Sequence, residues 1–459
     1  MNAKTMKTTD MTKGNPLKLI LLFAVPMLIG NVFQQIYSIV DTMVAGYNLG
    51  DGAIAAIGAT SSLYALIIDF AWGMNSGFAL VVTRAFGAQN EALVRKTIAG
   101  TMLLDSAVTT VLSVIAIVFL KPLMHLMNTP DDVFEDAYIY MFIICLGMIA
   151  TVAYNMFASF LRAFGNSIVP LYFLIFSSVM NIILDILLVG PMNMGVAGAA
   201  LATVISEMIS AVLSGIYFFR HYKPMLPNRQ DFHISKELLG ELSSNGAAMA
   251  FMYSVVNLGS VFFQGANNKL AETMGNGIIT AHTAARRLIG IMMTPLGTIT
   301  SAAATYIGQN YGANERKRVR AGLRDELFIV VGWGIFACLF IYLFGSLLVR
   351  FTTGTSDTEI IKNAVLSLRV HLPFYPALGI LLALRTAMQA VDIKAPTVIS
   401  SSIELGMKII AAVWLIPLLG FLGTCITEPI TWVICAIFLI LIYVKKKEKL
   451  YGGEAYDRA

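Results

Sequence analysis

Three polar residues in the first apolar stretch, Gln34, Tyr37 and Asp41, fall at i, i+3 and i+7. On a helix they share one face. Asn181 and Asp185 repeat the arrangement at i, i+4 in a later stretch, with Thr203 and Asn155 in neighbouring ones. A carboxyl at the centre of a bilayer costs about 3 kcal/mol or more unless it faces partners or water. Desolvation and a second nearby carboxyl favour the protonated form, whereas Asn, Tyr and Thr partners favour the ion. Asp41 and Asp185 are therefore candidates to take up and release a proton or a bare sodium ion as water access changes. The competing reading is a pair of acids that only hold helices together through hydrogen bonds.

The second half of the chain carries different chemistry. Glu404 and Lys408 stand at i, i+4 with the acid amino-terminal, the favourable order for a local ion pair. Arg286, Arg287, Arg385 and Glu428 add charges that could balance one another across helices, and His282 could titrate near neutrality. Glu404, Lys408, Arg286, Arg287 and His282 thus form a possible second polar site. Local neutralisation and packing are the plainer reading for all of them. There is no phosphate-binding loop of the Gly-x-x-x-x-Gly-Lys-Ser/Thr type and no His-Glu-x-x-His, so neither a nucleotide engine nor a zinc hydrolase is indicated.

The elements that must position these residues follow from composition. Of 459 residues, 57% are hydrophobic and 13% charged, and the mean hydropathy is +0.74. Soluble domains carry about 25% charged residues, which excludes a soluble enzyme, and the aromatic content excludes disorder. Twelve apolar runs are long enough to cross a bilayer: 17–44, 53–82, 97–120, 134–158, 168–190, 196–219, 243–266, 277–306, 327–349, 364–388, 396–418 and 422–444. Lys4, Lys7 and Lys13 precede the first run, which is too long for a signal peptide and is expected to be retained. Cys145, Cys338, Cys425 and Cys435 lie in apolar runs without metal or redox spacing and read as packing residues.

Most of the 32 basic residues fall in alternate connections. These include Arg84, Arg95 and Lys96, Arg220 to Lys236, Arg316 to Arg324, and the tail Lys445 to Lys449. The positive-inside rule puts those connections and both termini in the cytoplasm of a multi-pass inner (plasma) membrane protein. A repeat is also visible at a constant offset of 225. Gly50-Asp51-Gly52 returns as Gly275-Asn276-Gly277, Phe86-Gly87-Ala88-Gln89 as Tyr311-Gly312-Ala313-Asn314, and Gly195-x-x-Gly198 as Gly420-x-x-Gly423. Six helices per repeat make the repeats parallel, related by a pseudo-two-fold axis along the membrane normal, as in many secondary transporters. The expected organisation is an amino-terminal lobe (1–221), a polar cytoplasmic linker (222–241) and a carboxy-terminal lobe (242–459).

Several segments resemble the multidrug and toxic compound extrusion (MATE) family from about Pro16 to Val444. They are Pro26 followed by Val40-Asp41-Thr42-Met43-Val44-Ala45-Gly46, then Phe86-Gly87-Ala88-Gln89, Leu161-Arg162-Ala163-Phe164-Gly165-Asn166 with Pro170, Asn181 to Asp185, and Gly195-Val196-Ala197-Gly198. The resemblance, strongest to the DinF-like branch, implies an all-α protein of twelve transmembrane helices in two six-helix lobes, V-shaped. It implies an antiporter that exports organic, often cationic, compounds by alternating access in exchange for protons or sodium ions. On that basis Asp41, Asp185, Asn181 and Thr203 are the expected coupling residues, and the sodium ligands if sodium is the ion. Gln34, Tyr37, Asp41, Asn155 and Asn181 are the expected substrate contacts. The acids that the NorM-like branch places in helices seven and ten are missing here.

No cofactor beyond the coupling ion is expected. The partners are small organic molecules and the lipid bilayer, with no nucleic acid, no obligate protein partner and a functional monomer. A lipid-linked oligosaccharide flippase of the same wider superfamily is the alternative, requiring a cationic cleft. The charge distribution makes the orientation testable. A fluorescent protein fused after Ala459 is expected to fluoresce in cells, and an alkaline phosphatase fused there to be inactive; the opposite pattern would overturn the topology.

Overall fold

The computed structural model describes residues 9–127, 129–274 and 277–451; for Asp41 and some other helical positions it describes the backbone alone. Its secondary structure is helical throughout these residues. The first half comprises α1 (Pro16–Leu49), α2 (Asp51–Gly87), α3 (Glu91–Leu126), α4 (Phe134–Ala163), α5 (Ile168–Val189) and α6 (Gly195–His221). Two short 3-10 turns, Lys223–Met225 and Arg229–Phe232, lead to α7 (Lys236–Met274), α8 (Gly277–Gly312) and α9 (Arg316–Thr353). The chain closes with α10 (Thr358–His371), α11 (Tyr375–Ala390), α12 (Ala395–Ile410), α13 (Ile416–Leu419) and α14 (Phe421–Tyr451). Twelve stretches among the described residues are long and apolar enough to span a bilayer. Backbone polar groups cannot stay unpaired in hydrocarbon, which is why the spans are helices.

Most of the helices extend beyond the apolar runs, the fifth excepted, because helix formation continues until a specific residue stops it. Asn90 accepts a hydrogen bond from the Leu93 N–H (3.0 Å) and starts α3; Asp357 accepts from Glu359 (2.8 Å) and Ile360 (3.3 Å) and starts α10. Two spans are interrupted. The tenth breaks at a 3-10 turn, Leu372–Phe374, where Pro373 and Pro376 remove backbone donors. The eleventh passes through a π-helical segment, Ala411–Leu415, ahead of Pro417. A proline inside a helix removes one backbone donor and can kink it; α1 runs through Pro26 as a single helix.

The chain divides into two compact units, one built on Val25–Ala250 and the other on Met11–Ala24 with the chain from Phe251 onward. The dividing points fall inside α1 and α7. In the first unit the connection after α6 is held to α3 by an Arg95–Asp231 ion pair at 3.3 Å. Arg84, counted among the loop bases from sequence, is instead fully buried in the last turn of α2. There it pairs with Glu241 of α7 at 2.8 Å. In the second unit Arg318 donates to the backbone carbonyls of Met11 and Gly14, both at 2.9 Å, and to Asn310 Oδ1 at 2.8 Å. The four cysteines are free, with Cys145, Cys425 and Cys435 buried.

The repeat seen in sequence is present in the backbone. Gln89 and Asn314 take left-handed φ values of 54° and 57°, and Gly195 and Gly420 values of 61° and 58°. Each pair is offset by 225 residues, and left-handed residues other than glycine are uncommon, so the same turn has been kept twice.

Within the first unit α4 lies close against α6. A Cβ on Gly147 would stand 2.2 Å from Val204 Cγ2 and 2.9 Å from Val204 Cβ. Valine is stiff at χ1, so it cannot swing aside. Gly147 therefore sets the separation of the two helices, and Thr151 and Asn155 follow it on the same face of α4 at four-residue steps. Gly147→Ala is expected to destabilise the protein by about 1–3 kcal/mol through overpacking. The check is the thermal-unfolding midpoint in detergent, with the Gly147→Ala/Val204→Ala pair recovering most of the loss. An unchanged midpoint in the single variant would show that the helices separate freely.

Candidate functional site

The close approach of α4 and α6, with α1, α2 and α5 around them, leaves a cavity of about 360 Å³ inside the first unit. That volume suits a small organic ligand. α1 contributes Gln34, Gln35 and Tyr37, and α2 contributes Tyr64, Ile68, Asp69 and Trp72. Thr151, Tyr154 and Asn155 come from α4, Leu174, Ser177, Ser178 and Asn181 from α5, and Thr203, Ser206 and Glu207 from α6. Four of these seventeen residues are aromatic, eleven others carry a hydroxyl, amide or carboxylate, and two are aliphatic.

A polar ladder fixes the α2–α4–α6 side of the cavity. Trp72 Nε1 donates to Asn155 Oδ1 (2.9 Å), and Asn155 Nδ2 donates to the Thr151 carbonyl one turn back (2.8 Å). The Thr151 hydroxyl in turn donates to Glu207. Tyr154 is tethered by its hydroxyl to the Pro170 carbonyl (3.2 Å). Asn181 Nδ2 donates to Thr203 Oγ1 at 3.4 Å, while Asn181 Oδ1 is buried with no hydrogen-bond partner among the described residues. An orphaned acceptor of this kind is costly unless a water or cation meets it. Glu207 has no cationic side chain within ion-pair distance among the described residues, so its carboxylate is left for something else to meet.

Five of the residues chosen from sequence, Gln34, Tyr37, Asn155, Asn181 and Thr203, line this one cavity. Asp185 is not in its wall. It is buried on α5 one turn beyond Asn181. Asp41 belongs to α1, and its side chain lies outside the described residues. Asp69 and Glu207 were missed by the sequence reading. Glu207 carried a usable signal, since it stands four residues after Thr203 and shares its face. Asp69 carried none beyond being an acid in an apolar run. Asp105 on α3 and Glu326 on α9 are further buried acids away from the cavity. Among the described residues no three His, Cys, Asp or Glu side chains are grouped as a metal site would need.

The charges of the second unit do gather, but as a different kind of object. Glu404 accepts from Arg385 NH1 at 2.9 Å and pairs with Lys408 at 3.2 Å, and Ser400 Oγ accepts two more bonds from the Arg385 guanidinium. All three charged groups are buried. The local Glu404–Lys408 pair expected from spacing is therefore one side of a three-residue knot. Arg286 reaches Glu428 at 2.5 Å, with His371 on the other carboxylate oxygen at 3.5 Å. His282 is buried beside Asn267, whose Oδ1 accepts from Thr424 (2.6 Å). Arg287, grouped with them from sequence, is exposed and joins none of these contacts.

Known proteins share the fold. The MatE family model matches residues 26–187 and 248–414. A probable multidrug resistance protein of Bacillus subtilis, YoeA, is 28% identical, covering 92% of this chain and 91% of its own length. The multidrug export protein MepA of Staphylococcus saprophyticus is 22% identical over 96% of this chain and 97% of that protein. An outward-facing structure of a multidrug resistance MATE family transporter of the MOP superfamily superposes with a TM-score of 0.88 at 20% identity, covering 97% of this chain and 99% of that one. That likeness shows the two-lobe helical fold. With well over half of its length matched by the family model, the chain belongs to the MatE family: it is a multi-pass membrane transporter of the multidrug efflux class, not an enzyme.

Proposed function

We propose that the chain is an ion-coupled antiporter that exports organic cations, with cargo held in the first-unit cavity and the coupling ion at Asp41 and Asp185. The observation that carries the reading is Glu207, a carboxylate in the cavity wall with Thr151 as its donor and no cationic side chain paired with it among the described residues. Tyr37, Tyr64, Trp72 and Tyr154 supply ring faces in the same wall. A cation over such a ring gains about 0.5–2 kcal/mol, and a carboxylate adds a charge-assisted contact. The names of YoeA and MepA, a multidrug resistance and a multidrug export protein, are in keeping with such cargo.

Coupling needs a second ligand whose binding shifts the same equilibrium, because a ligand moves a conformational balance only by its differential affinity for the two states. Asp185 lies buried on α5 one turn beyond Asn181, a wall residue whose Oδ1 is unpartnered among the described residues, and Asp41 follows Gln34 and Tyr37 on α1 at helical spacing. A proton entering from outside discharges one carboxylate of this pair; a sodium ion would use the same carboxylates with the oxygens of Asn181 and Thr203. Either one repacks α1 around Pro26 against α5, and the cavity loses its cargo. One chain contains the whole path, and both termini are cytoplasmic.

The flippase alternative requires cationic side chains free to hold a lipid pyrophosphate. Of the three arginines in this half that could serve, Arg385 and Arg286 are committed to Glu404 and Glu428, and Arg287 alone, exposed on α8, makes no cationic cleft.

Three variants separate cargo from coupling in proteoliposomes carrying a fluorescent organic cation under imposed pH or sodium gradients. Asp185→Asn and Asp41→Asn are expected to abolish gradient-driven accumulation while retaining counterflow, and undiminished accumulation would sink the coupling assignment. Glu207→Gln is expected to keep coupling and raise the half-saturating cation concentration about 10- to 100-fold, equivalent to the ~1.5–3 kcal/mol of a hydrogen bond to a charged group. An unchanged value would remove Glu207 from the cargo site.

A further inference from the structure

The repeat places chemistry as well as turns. α6 and α14 each follow a left-handed glycine, Gly195 and Gly420, 225 residues apart. The same offset carries Thr203 onto Glu428 and Glu207 onto Trp432. Thr203 and Glu207 are part of the cavity wall that α6 supplies in the first unit. α14 therefore carries a carboxylate and an aromatic ring, one turn apart on a single face, at the positions that line the cavity in the other half.

A third position differs in a telling way. α2 and α8 end on the matched turns at Gln89 and Asn314, so Ser61 of α2 corresponds to Arg286 of α8. Ser61 is short and donates to the Gly58 carbonyl of its own helix (2.7 Å). Arg286 instead crosses to α14, where its Nη1 stands 2.5 Å from Glu428 Oε1. The Glu428 side chain is 8% exposed and the Arg286 side chain 37%, so the guanidinium reaches a buried acid from a more open position. Aromatic rings stand around the contact. Tyr375 donates its hydroxyl to the Ile289 carbonyl (2.7 Å), three residues after Arg286, and the Trp432 indole is edge-on to Tyr375 at 5.9 Å. His371 Nε2 lies 3.5 Å from the other oxygen of Glu428 and bounds the seat on that side.

We propose that Glu428, Trp432 and Tyr375 form a second organic-cation site, the repeat equivalent of the first-unit cavity, and that the Arg286 guanidinium is its resident occupant. One carboxylate among aromatic rings is the chemistry that suits a cation in the first unit; in the second unit the cation is tethered to the wall. A tethered group competes at an effective concentration of roughly millimolar or more, so a free cation at lower concentration does not displace it. The neighbouring bases Arg385 and Lys408 are taken by Glu404 and leave the seat to Arg286. The intact chain thus binds one organic cation, in the first unit, a count that rests on the cargo reading above. The occupancy of Glu428 by Arg286 does not rest on it.

Emptying the seat is the test. Purified full-length protein in detergent is titrated with the fluorescent organic cation by equilibrium dialysis. Thermal unfolding is followed with and without ethylguanidinium, the part of the side chain that Arg286→Ala removes. Arg286→Ala is expected to bind one more cation per chain than the wild type, and Arg286→Ala/Glu428→Gln to lose that extra site. Ethylguanidinium is expected to raise the unfolding midpoint of Arg286→Ala by more than it raises that of the wild type or of the double variant. An unchanged stoichiometry in Arg286→Ala without extra stabilisation overturns the proposal, because the pair is then only an ion pair between α8 and α14. Two cations bound by the wild type overturn it as well, since the seat would be open. If Arg286→Ala does not fold, Arg286→Gln is measured in the same way. If neither variant can be purified alone, recovery in the presence of ethylguanidinium supports the seat, and failure to recover counts against it. A wild-type chain that binds no cation would sink the first-unit cargo reading, while the extra site in Arg286→Ala would still report on this one.

Discussion

Hydrocarbon cannot solvate charge, and nearly every feature of this protein answers to that constraint. With 13% of its residues charged, the chain handles several of those that enter the membrane in two contrasting ways. In the second unit two acids are neutralised on the spot: Glu404 between Arg385 and Lys408, Glu428 between Arg286 and His371. In the first unit Glu207 is left facing a cavity with a threonine hydroxyl for support. Replacing a buried ion pair by apolar residues is often neutral or stabilising, so the paired clusters are no simple source of stability. What they do supply is a fixed arrangement of helices, because removing one partner leaves a charge with nowhere to go.

The same constraint explains the packing. A cavity lined by polar groups inside a helical bundle survives only if its walls are held apart and together at set distances. Gly147 against Val204 brings α4 and α6 to close contact on one side. The Trp72–Asn155–Thr151–Glu207 ladder then ties α2, α4 and α6 by directional bonds. Small residues for approach and hydrogen bonds for register are how membrane helices associate, since lipid offers no hydrophobic gain for helix–helix contact.

Much of this was legible in the sequence, and the part that was not has a physical reason. Twelve spans, the repeat and the face shared by Gln34 and Tyr37 are local properties of hydropathy and helical spacing. The turns at Gln89/Asn314 and Gly195/Gly420 were visible because a turn constrains its own residues. Asn181 and Thr203 were grouped through the family resemblance, and they meet across α5 and α6. Glu207 and Asp69 were missed because neither belongs to a repeated motif, and which way an isolated acid faces depends on tertiary packing. Arg84 looked like a loop base because hydropathy falls before the helix ends. The meeting of His371 with Glu428 and of Arg385 with Glu404 depends on how α10, α11, α12 and α14 are arranged, and no spacing rule encodes that.

The two halves keep the same left-handed turns at equivalent positions while their interiors have parted company, one lined by acids and aromatics, the other knotted with guanidinium and carboxylate. A duplicated gene that preserves its corners and lets its contents drift acquires two compartments that mutate independently. A substitution that retunes what one half accepts need not disturb the ionic wiring of the other. For an exporter exposed to changing toxins, such modularity is a source of evolvability: the repertoire of one half can be rewritten while the other keeps its inherited wiring.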